Sequence, residues 1–287
     1  MKKLLTLALT VLMALTAVFG MTACNKNEAK LTGFDIELAR EVVAYLNEEN
    51  DTNVKIEFQE IDWDSKEALL ENGTIDLVWN GMTITPERAA EMCVSVPYLY
   101  NKQVAVVRAA DAEDYSGASL TNLIAFATAT FGAEAGSACE GCISTVFPTA
   151  EYISSKTQLD ALTSLDNGNI DVAVIDSVMA GYYTSQGTYK DKLVIVEDLV
   201  LATEAYGIAA KKGNLSLVSK INEALIALRT TKYADVAADF GLTGSIALTA
   251  ETVDVYAGAT DNSWNNVVSS GKLVIGYTVF APIAYSK

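Results

Sequence analysis

Histidine is absent from all 287 residues. Without imidazole there is no Ser-His-Asp or Cys-His catalytic pair. Cysteine is scarce: after Cys24 only Cys93, Cys139 and Cys142 remain, and three thiols without imidazole argue against a four-ligand zinc site. Positive charge is in deficit, with 20 Lys and Arg against 36 Asp and Glu and a formal charge of −16. A surface that acidic repels phosphate backbones and sets nucleic acid aside as a partner. Past Cys24, no run approaches the ~18 apolar residues needed to span a bilayer. There is no internal repeat, and nothing in the composition calls for a cofactor.

What is present begins with the N-terminus. Lys2 and Lys3 precede an apolar stretch from Leu4 to Gly20, and Met21-Thr22-Ala23-Cys24 follows. This is an export signal with small residues at the cleavage point. A Cys directly after them resembles the lipobox of bacterial lipoproteins, with Met21 where Leu is usual. The resemblance implies a signal peptide over residues 1–23 and lipidation at Cys24. It also implies an extracytoplasmic protein anchored by lipid to the bacterial cell membrane. An ordinary cleaved signal and a retained membrane anchor are the competing readings. Loss of residues 1–23 removes Lys2 and Lys3 but no acid, so the mature chain is more acidic still. It remains long enough for two compact lobes. Cys139 and Cys142, in C-E-G-C, have the spacing of a redox dithiol. A buried thiol pair or a local disulfide in an oxidising compartment are the alternatives.

Along the chain, Ile36, Ala39, Val42, Val43 and Leu46 recur at helical spacing, and Val54–Phe58 alternates as a strand does. Asp64-Ser65 opens a short helix that Asn72-Gly73 ends, and Thr85-Pro86 opens another. Between them, 75–79 forms an apolar strand of the kind buried on both faces. Further strands are expected over 103–107, within 124–134, and over 171–175, 206–210 and 273–277. Further helices are expected over 119–123, from Gly136-Ser137, and over 159–165, 216–228, 233–240 and 264–268. Residues 246–262 lose periodicity and read as a linker. Alternating strands and helices imply a parallel or mixed sheet with helices on its faces.

Six stretches carry a resemblance: L-T-G-F-D-I-E-L-A (31–39), D-L-V-W-N-G-M-T-I-T-P-E-R (76–88), P-Y-L-Y-N-K-Q-V-A-V-V (97–107), E-A-G-S-A (134–138), N-G-N-I-D-V-A-V-I-D (167–176) and A-Y-G-I-A-A-K-K-G (205–213). Together they resemble the family 3 extracellular solute-binding proteins, which serve ABC importers of polar amino acids. The resemblance implies an α/β, two-lobed, periplasmic-binding-protein-like type II fold. Residues 25–104 plus 206–287 would form lobe 1, with the 246–262 linker, and 105–205 lobe 2, the two joined near 103–107 and 206–210. The implied partners are a free amino acid and an ABC permease with its ATPase, met by a monomer. One block is out of family order. The strand that usually opens the fold resembles G-K-L-V-I-G-Y-T-V-F-A-P-I-A-Y, which here is 271–285. The chain therefore reads as a circular permutant; a truncated tandem or a separate C-terminal appendage are the rival accounts.

A free amino acid carries a carboxylate and an ammonium on one carbon, and both need partners when buried. Arg88 sits in the first helical turn after Thr85-Pro86, where the helix dipole disfavours a cation unless an anion joins it. The resemblance assigns Arg88 and Thr83 to the ligand carboxylate, with backbone donors from Ser137 and Ala138. It assigns Asp176 and the Gly81 carbonyl to the ammonium. Trp63 and Phe280 match the aromatics that sandwich the ligand, and Tyr277 and Glu134 match positions that select its side chain. The plainer readings are a surface ion pair for Arg88, an N-cap for Asp176 and core packing for the aromatics. A dehydratase-like enzyme on the same fold would need a carboxyl acid or base in the cleft, and Glu134 is the residue for it. A sensory lipoprotein without transport is the third possibility.

Overall fold

The computed structural model describes residues 30–115, 126–185 and 188–287. The export signal, Cys24 and the helix expected over 119–123 lie outside them. Leu31–Ser286 forms one compact unit.

A short strand β1 (Leu31–Thr32) leads into α1 (Phe34–Asn50), β2 (Lys55–Glu60), α2 (Lys66–Glu71), β3 (Leu77–Thr83), α3 (Pro86–Glu91), β4 (Met92–Val94) and β5 (Leu99–Arg108). A one-turn helix α4 (Ala112–Tyr115) follows, then β6 (Thr130–Glu134), α5 (Ala138–Val146), β7 (Glu151–Ser155), α6 (Gln158–Asp166), β8 (Val172–Asp176) and α7 (Ser177–Ser185). The chain returns on β9 (Leu193–Lys211) and finishes with α8 (Leu215–Leu228), α9 (Lys232–Asp239), α10 (Ser263–Ser270), β10 (Lys272–Tyr277) and β11 (Tyr285–Ser286).

The main sheet runs β2-β10-β3-β9-β5-β8-β6-β7, with β4 added on β9. One half, β2-β10-β3, is parallel, and so is the other, β8-β6-β7. The antiparallel pair β5–β9 joins them. The apolar strand expected over 75–79 in fact spans Leu77–Thr83, because Met82 and Thr83 still pair with β9 beyond a bulge. β4 is too short, and β7 too polar, to stand out in the sequence.

Side-chain alternation builds the layers. On β5, Val104 and Val106 enter one core while Ala105 and Val107 enter another. On β8, Ala173 and Ile175 face the first, Val172 and Val174 the second. On β3, Leu77 and Trp79 join the first, while Val78 and Met82 join a third under α2. The first core continues beneath α1, α6, α7, α8 and α9. Each fully buried Leu, Ile or Val contributes about 1.5–3 kcal/mol, so helices of modest propensity are held by the faces they bury.

β10 lies inside its half-sheet. Residues 272–277 pair in parallel with 55–60, and Ile275 and Gly276 pair with Leu77 and Val78. β1 and β11 form an antiparallel pair, Leu31 opposite Ser286 and Thr32 opposite Tyr285.

The 246–262 segment has no helix or strand, as expected, yet it is fastened down. Asp261 accepts hydrogen bonds from Ser216 N at 2.7 Å and Ser263 N at 3.0 Å, so one carboxylate holds the first turns of α8 and α10. Asp254 accepts from Ser219 Oγ at 2.6 Å and Asn222 Nδ2 at 2.7 Å on α8. Among the described residues, no helix is long and apolar enough to cross a membrane.

Candidate functional site

Parallel α/β sheets gather ligands at the carboxyl ends of their strands. Here β3 ends at Thr83, β6 at Glu134 and β8 at Asp176, while Thr278 follows β10 directly. All four line one cavity of about 20 Å³, which also takes in Trp63, Gly81, Arg88, Ser137, Ala138 and Phe280. That is room for a single water: the walls are closed on one another. Nine of the ten residues singled out from the sequence share this cavity. Tyr277 does not. It is the last residue of β10, and its ring stands edge-on to Phe58 at 6.4 Å between centroids. Strand alternation gives the cavity position to Thr278 instead.

Gly81 holds φ at +62° on β3, and a Cβ there would come within 2.9 Å of Phe280 Cε1. Its N–H donates to Asp35 Oδ2 at 2.8 Å, which fixes the peptide plane at the cavity edge. Tyr98 OH donates to the same oxygen at 2.8 Å. Burial pushes the Asp35 carboxyl up to about 7, despite these hydrogen bonds.

Arg88 follows from local sequence. Pro86 begins α3, and Thr85 Oγ1 accepts from Arg88 N at 3.2 Å. The side chain folds back so that Nη1 donates to Thr83 O and Nη2 to Gly136 O, both at 2.9 Å. Both acceptors are neutral carbonyls. Among the described residues, Arg88 makes no ion pair, so its charge faces the cavity uncompensated at contact distance. Lys66 lies alongside but is paired: buried on α2, its Nζ donates to Gly136 O at 3.1 Å and to Trp63 O at 3.2 Å and meets Glu67 Oε1 at 3.2 Å. It also sits 5.0 Å from the centre of the Trp63 ring. Burial first, and Arg88 second, pull its pKa down. No sequence signal marks Lys66, since a lysine in a first helical turn reads as solvated.

Asp176 is 4% exposed and surrounded by donors. Its Oδ1 accepts from Asn101 Nδ2, from Gln103 Nε2 at 2.9 Å and from Tyr206 OH at 2.8 Å, and its Oδ2 accepts from Gln158 Nε2. The rival reading, a cap on α7, does not fit these contacts. Asn101 Oδ1 serves the start of α7, accepting from Ser177 Oγ at 2.9 Å and Val178 N at 3.4 Å. Asn101, Gln103 and Gln158 escaped sequence reasoning, although Gln103 is a polar residue at the head of an apolar run, which was the available signal.

Glu134 lines the cavity from the end of β6, and burial, then Asp176, push it up to about 8. Behind the wall, Glu204 on β9 faces Asp176, Asn101, Gln103 and Thr83. Among the described residues, Cys93, Cys139 and Cys142 are free thiols. Cys139 Sγ donates to Gln103 Oε1 at 2.7 Å, and burial keeps it protonated.

A cleft at strand ends with an uncompensated guanidinium on one side and a donor-wrapped carboxylate on the other suits a small zwitterion. The model of the bacterial extracellular solute-binding proteins, family 3, matches residues 13–242. The chain belongs to this family. Among its relatives is a probable histidine-binding protein of Neisseria gonorrhoeae, 28% identical over 214 residues that cover 73% of this chain and 74% of that protein. The ABC transporter glutamine-binding protein GlnH of Bacillus subtilis (strain 168) is 28% identical over 212 residues, 73% of this chain and 71% of its own length. A solved ancestral arginine-binding protein bound to arginine superposes with a TM-score of 0.65 at 31% identity, covering 75% of this chain and 90% of that one. An ancestral amino acid-binding protein described as a precursor of cyclohexadienyl dehydratase gives 0.64 at 27% identity, covering 75% and 87%. The solute-binding protein thus has the two-lobed type II periplasmic-binding fold.

Proposed function

We propose that this solute-binding protein takes a free amino acid into the cleft between its lobes, outside the cytoplasm, and delivers it to an ABC permease and its ATPase. The observation that carries the reading is the pairing of Arg88 and Asp176 across one cavity. In this reading Arg88 and Thr83 take the ligand carboxylate, with Ser137 and Ala138 donating from the opposite wall. Asp176 and the Gly81 carbonyl take the ammonium, replacing part of the amide shell around Asp176. Trp63 and Phe280 cover the carbon skeleton, and Glu134 meets the side chain. The present volume admits one water, so entry requires the walls to part and close again, and ligand favours the closed state by its contacts there.

Lobe 1 comprises 25–104 and 206–287 and lobe 2 105–205 in this proposal, with β5 and β9 as the connections. The chain is a circular permutant, its 271–285 block supplying the strand that opens the family's usual order, and the parallel pairing of β10 between β2 and β3 supports this. Residues 1–23 direct export, Cys24 carries the lipid anchor, and the protein works as a monomer.

The test is a thermal-shift screen of the mature chain against the common amino acids. A ligand at a hundred times its Kd stabilises by about 2.7 kcal/mol, an easily read shift. No shift with any amino acid sinks the proposal. Glu134, a buried carboxyl in the cleft, also suits a general acid or base, so the ligand is recovered and identified after incubation. Unchanged ligand favours carriage, and turnover favours an enzyme.

A further inference from the structure

Glu204 is assigned no role by the reading above, yet it touches both ends of the site. Its Oε2 lies 3.0 Å from Thr83 Oγ1, beside Arg88. Its Oε1 accepts from Asn101 Nδ2 at 2.5 Å and Gln103 Nε2 at 2.7 Å, the same two amides that hold Asp176 Oδ1. Two carboxyl groups that share donors in a closed cleft repel strongly when both are ionised, so one proton stays with the pair. Asp176 collects four donors, against three for Glu204. The proton then belongs on Glu204, whose Oε1 is fully engaged as an acceptor and whose Oε2 faces a hydroxyl.

That placement decides which way the Thr83 hydroxyl points. Thr83 has one hydroxyl hydrogen. If Glu204 is ionised, that hydrogen is drawn to Oε2, and a ligand carboxylate at Arg88 meets an oxygen lone pair with a second carboxylate behind it. If Glu204 carries the proton, its O–H donates to Thr83 Oγ1, and the threonine hydrogen is free to donate to the ligand.

Resting on the assignment of Arg88 and Thr83 to the ligand carboxylate, we propose that Glu204 is a positioning residue which, in its protonated form, turns the Thr83 hydroxyl toward that carboxylate. The net charge of the occupied site then closes: Arg88 and the ligand carboxylate cancel, as do Asp176 and the ammonium, and Lys66 is matched by Glu67 at 3.2 Å. The other titratable groups facing Glu204 are Arg88 from α3, Asp176 from β8, Cys139 and Cys142 from α5, and Tyr206 along its own strand. Burial raises both thiols and the phenol, so they stay neutral. Burial and then Asp176 push Glu204 itself up. Its protonated form is therefore held at neutral pH and lost as pH rises through that raised value.

The experiment is titration calorimetry of the wild type and Glu204→Gln with glutamine, histidine and arginine from about pH 6 to about pH 9. The glutamine amide reproduces the protonated glutamate, its nitrogen donating to Thr83 and its oxygen accepting from Asn101 and Gln103. The wild type is expected to match the variant at the acid end and to fall behind it by up to tenfold per pH unit at the alkaline end. Titration of the ligand amine and of Glu134 is common to both proteins and cancels in the comparison. Wild-type binding near pH 9 should also take up more protons than binding to Glu204→Gln under the same conditions, seen as buffer-dependent heats. Identical pH profiles, loss of binding in a folded Glu204→Gln protein, or no excess proton uptake would each overturn the assignment of Glu204 alone. Failure of the wild type to bind any amino acid takes down the site reading with it.

Discussion

The Arg88 guanidinium reaches across the cleft to the backbone of Gly136, with Nη2 at 2.9 Å from the carbonyl oxygen. Gly136 holds φ at +67°, and a Cβ there would meet Asp64 Oδ1 at 2.8 Å, so the loop before α5 is pressed against the opposite wall. Lys66 reaches the same oxygen at 3.1 Å. Lys66 has Glu67 at 3.2 Å as its counter-ion, but for Arg88 a neutral carbonyl is a poor substitute for an anion. A ligand carboxylate would replace that carbonyl with a charge-assisted, two-toothed contact.

Arg88→Ala should therefore abolish the thermal shift given by every amino acid that stabilises the wild type, a loss of roughly 100-fold or more in affinity, since truncating one partner of a buried charge pair costs about 2–5 kcal/mol. The unliganded melting temperature should change little, because only two hydrogen bonds to carbonyls are lost. A variant that binds as the wild type does would remove Arg88 from the carboxylate site.

Glu134 predicts how the pocket treats charge. Burial holds its pKa up near 8, so the empty site keeps this carboxyl neutral at pH 7. A ligand with a neutral side chain should bind Glu134→Gln about as well as the wild type. A ligand with a cationic side chain gains from the ionised form, so its wild-type affinity should rise as pH increases toward 8, and Glu134→Gln should flatten that rise. Calorimetry with glutamine and arginine across this range reads both. A pH-independent preference would show that Glu134 does not meet the side chain.

Asp35 gives a stability test away from the ligand. It is 1% exposed and its carboxyl is pushed up to about 7, so the folded state retains a proton that the unfolded chain gives up near pH 4. The sign follows: its contribution is most favourable below the unfolded value and is lost as pH rises to about 7. Asp35→Asn should reduce the decline in unfolding free energy between about pH 4 and pH 7. Asp35→Ala should cost about 1–3 kcal/mol at all pH by leaving the Tyr98 hydroxyl and the Gly81 N–H without that acceptor. Denaturant melts at several pH values check both.

These residues also mark how far sequence carried the reading. The parallel halves were visible because Val172–Ile175 and Leu77–Trp79 are buried on both faces and therefore apolar without interruption. Thr85-Pro86 announced α3, and Ser137 announced α5, since caps are local. Chemistry that depends on strands distant in sequence was hidden. Glu204 looked like one acid among 36, and only the antiparallel pairing of β5 with β9, which sets Asn101 opposite Glu204, brings it to Asp176. Tyr277 was misplaced by one strand position, which is enough to send a side chain to the other face.

The order of strands yields a final prediction. β10 pairs with β2 along residues 272–277 and with β3 at Ile275 and Gly276, and Val274 N donates to Asp76 Oδ2 at 2.8 Å. Leu273, Val274 and Ile275 enter the cores on both sides of the sheet. Ending the chain before Gly271 would leave β2 without its sheet neighbour, uncover apolar side chains on both faces, and remove Phe280 and Thr278 from the cavity. Burial of three aliphatic side chains alone is worth about 5–9 kcal/mol, comparable to the whole stability of a domain. The truncated protein should fail to fold cooperatively. A rearranged gene that places residues 263–287 directly before residue 31 should restore both cooperative melting and ligand binding, because β1 and β11 already lie side by side. Circular dichroism melts of the two proteins decide it: a truncated chain that melts like the wild type would show that β10 is an appendage and not a structural strand of this lobe.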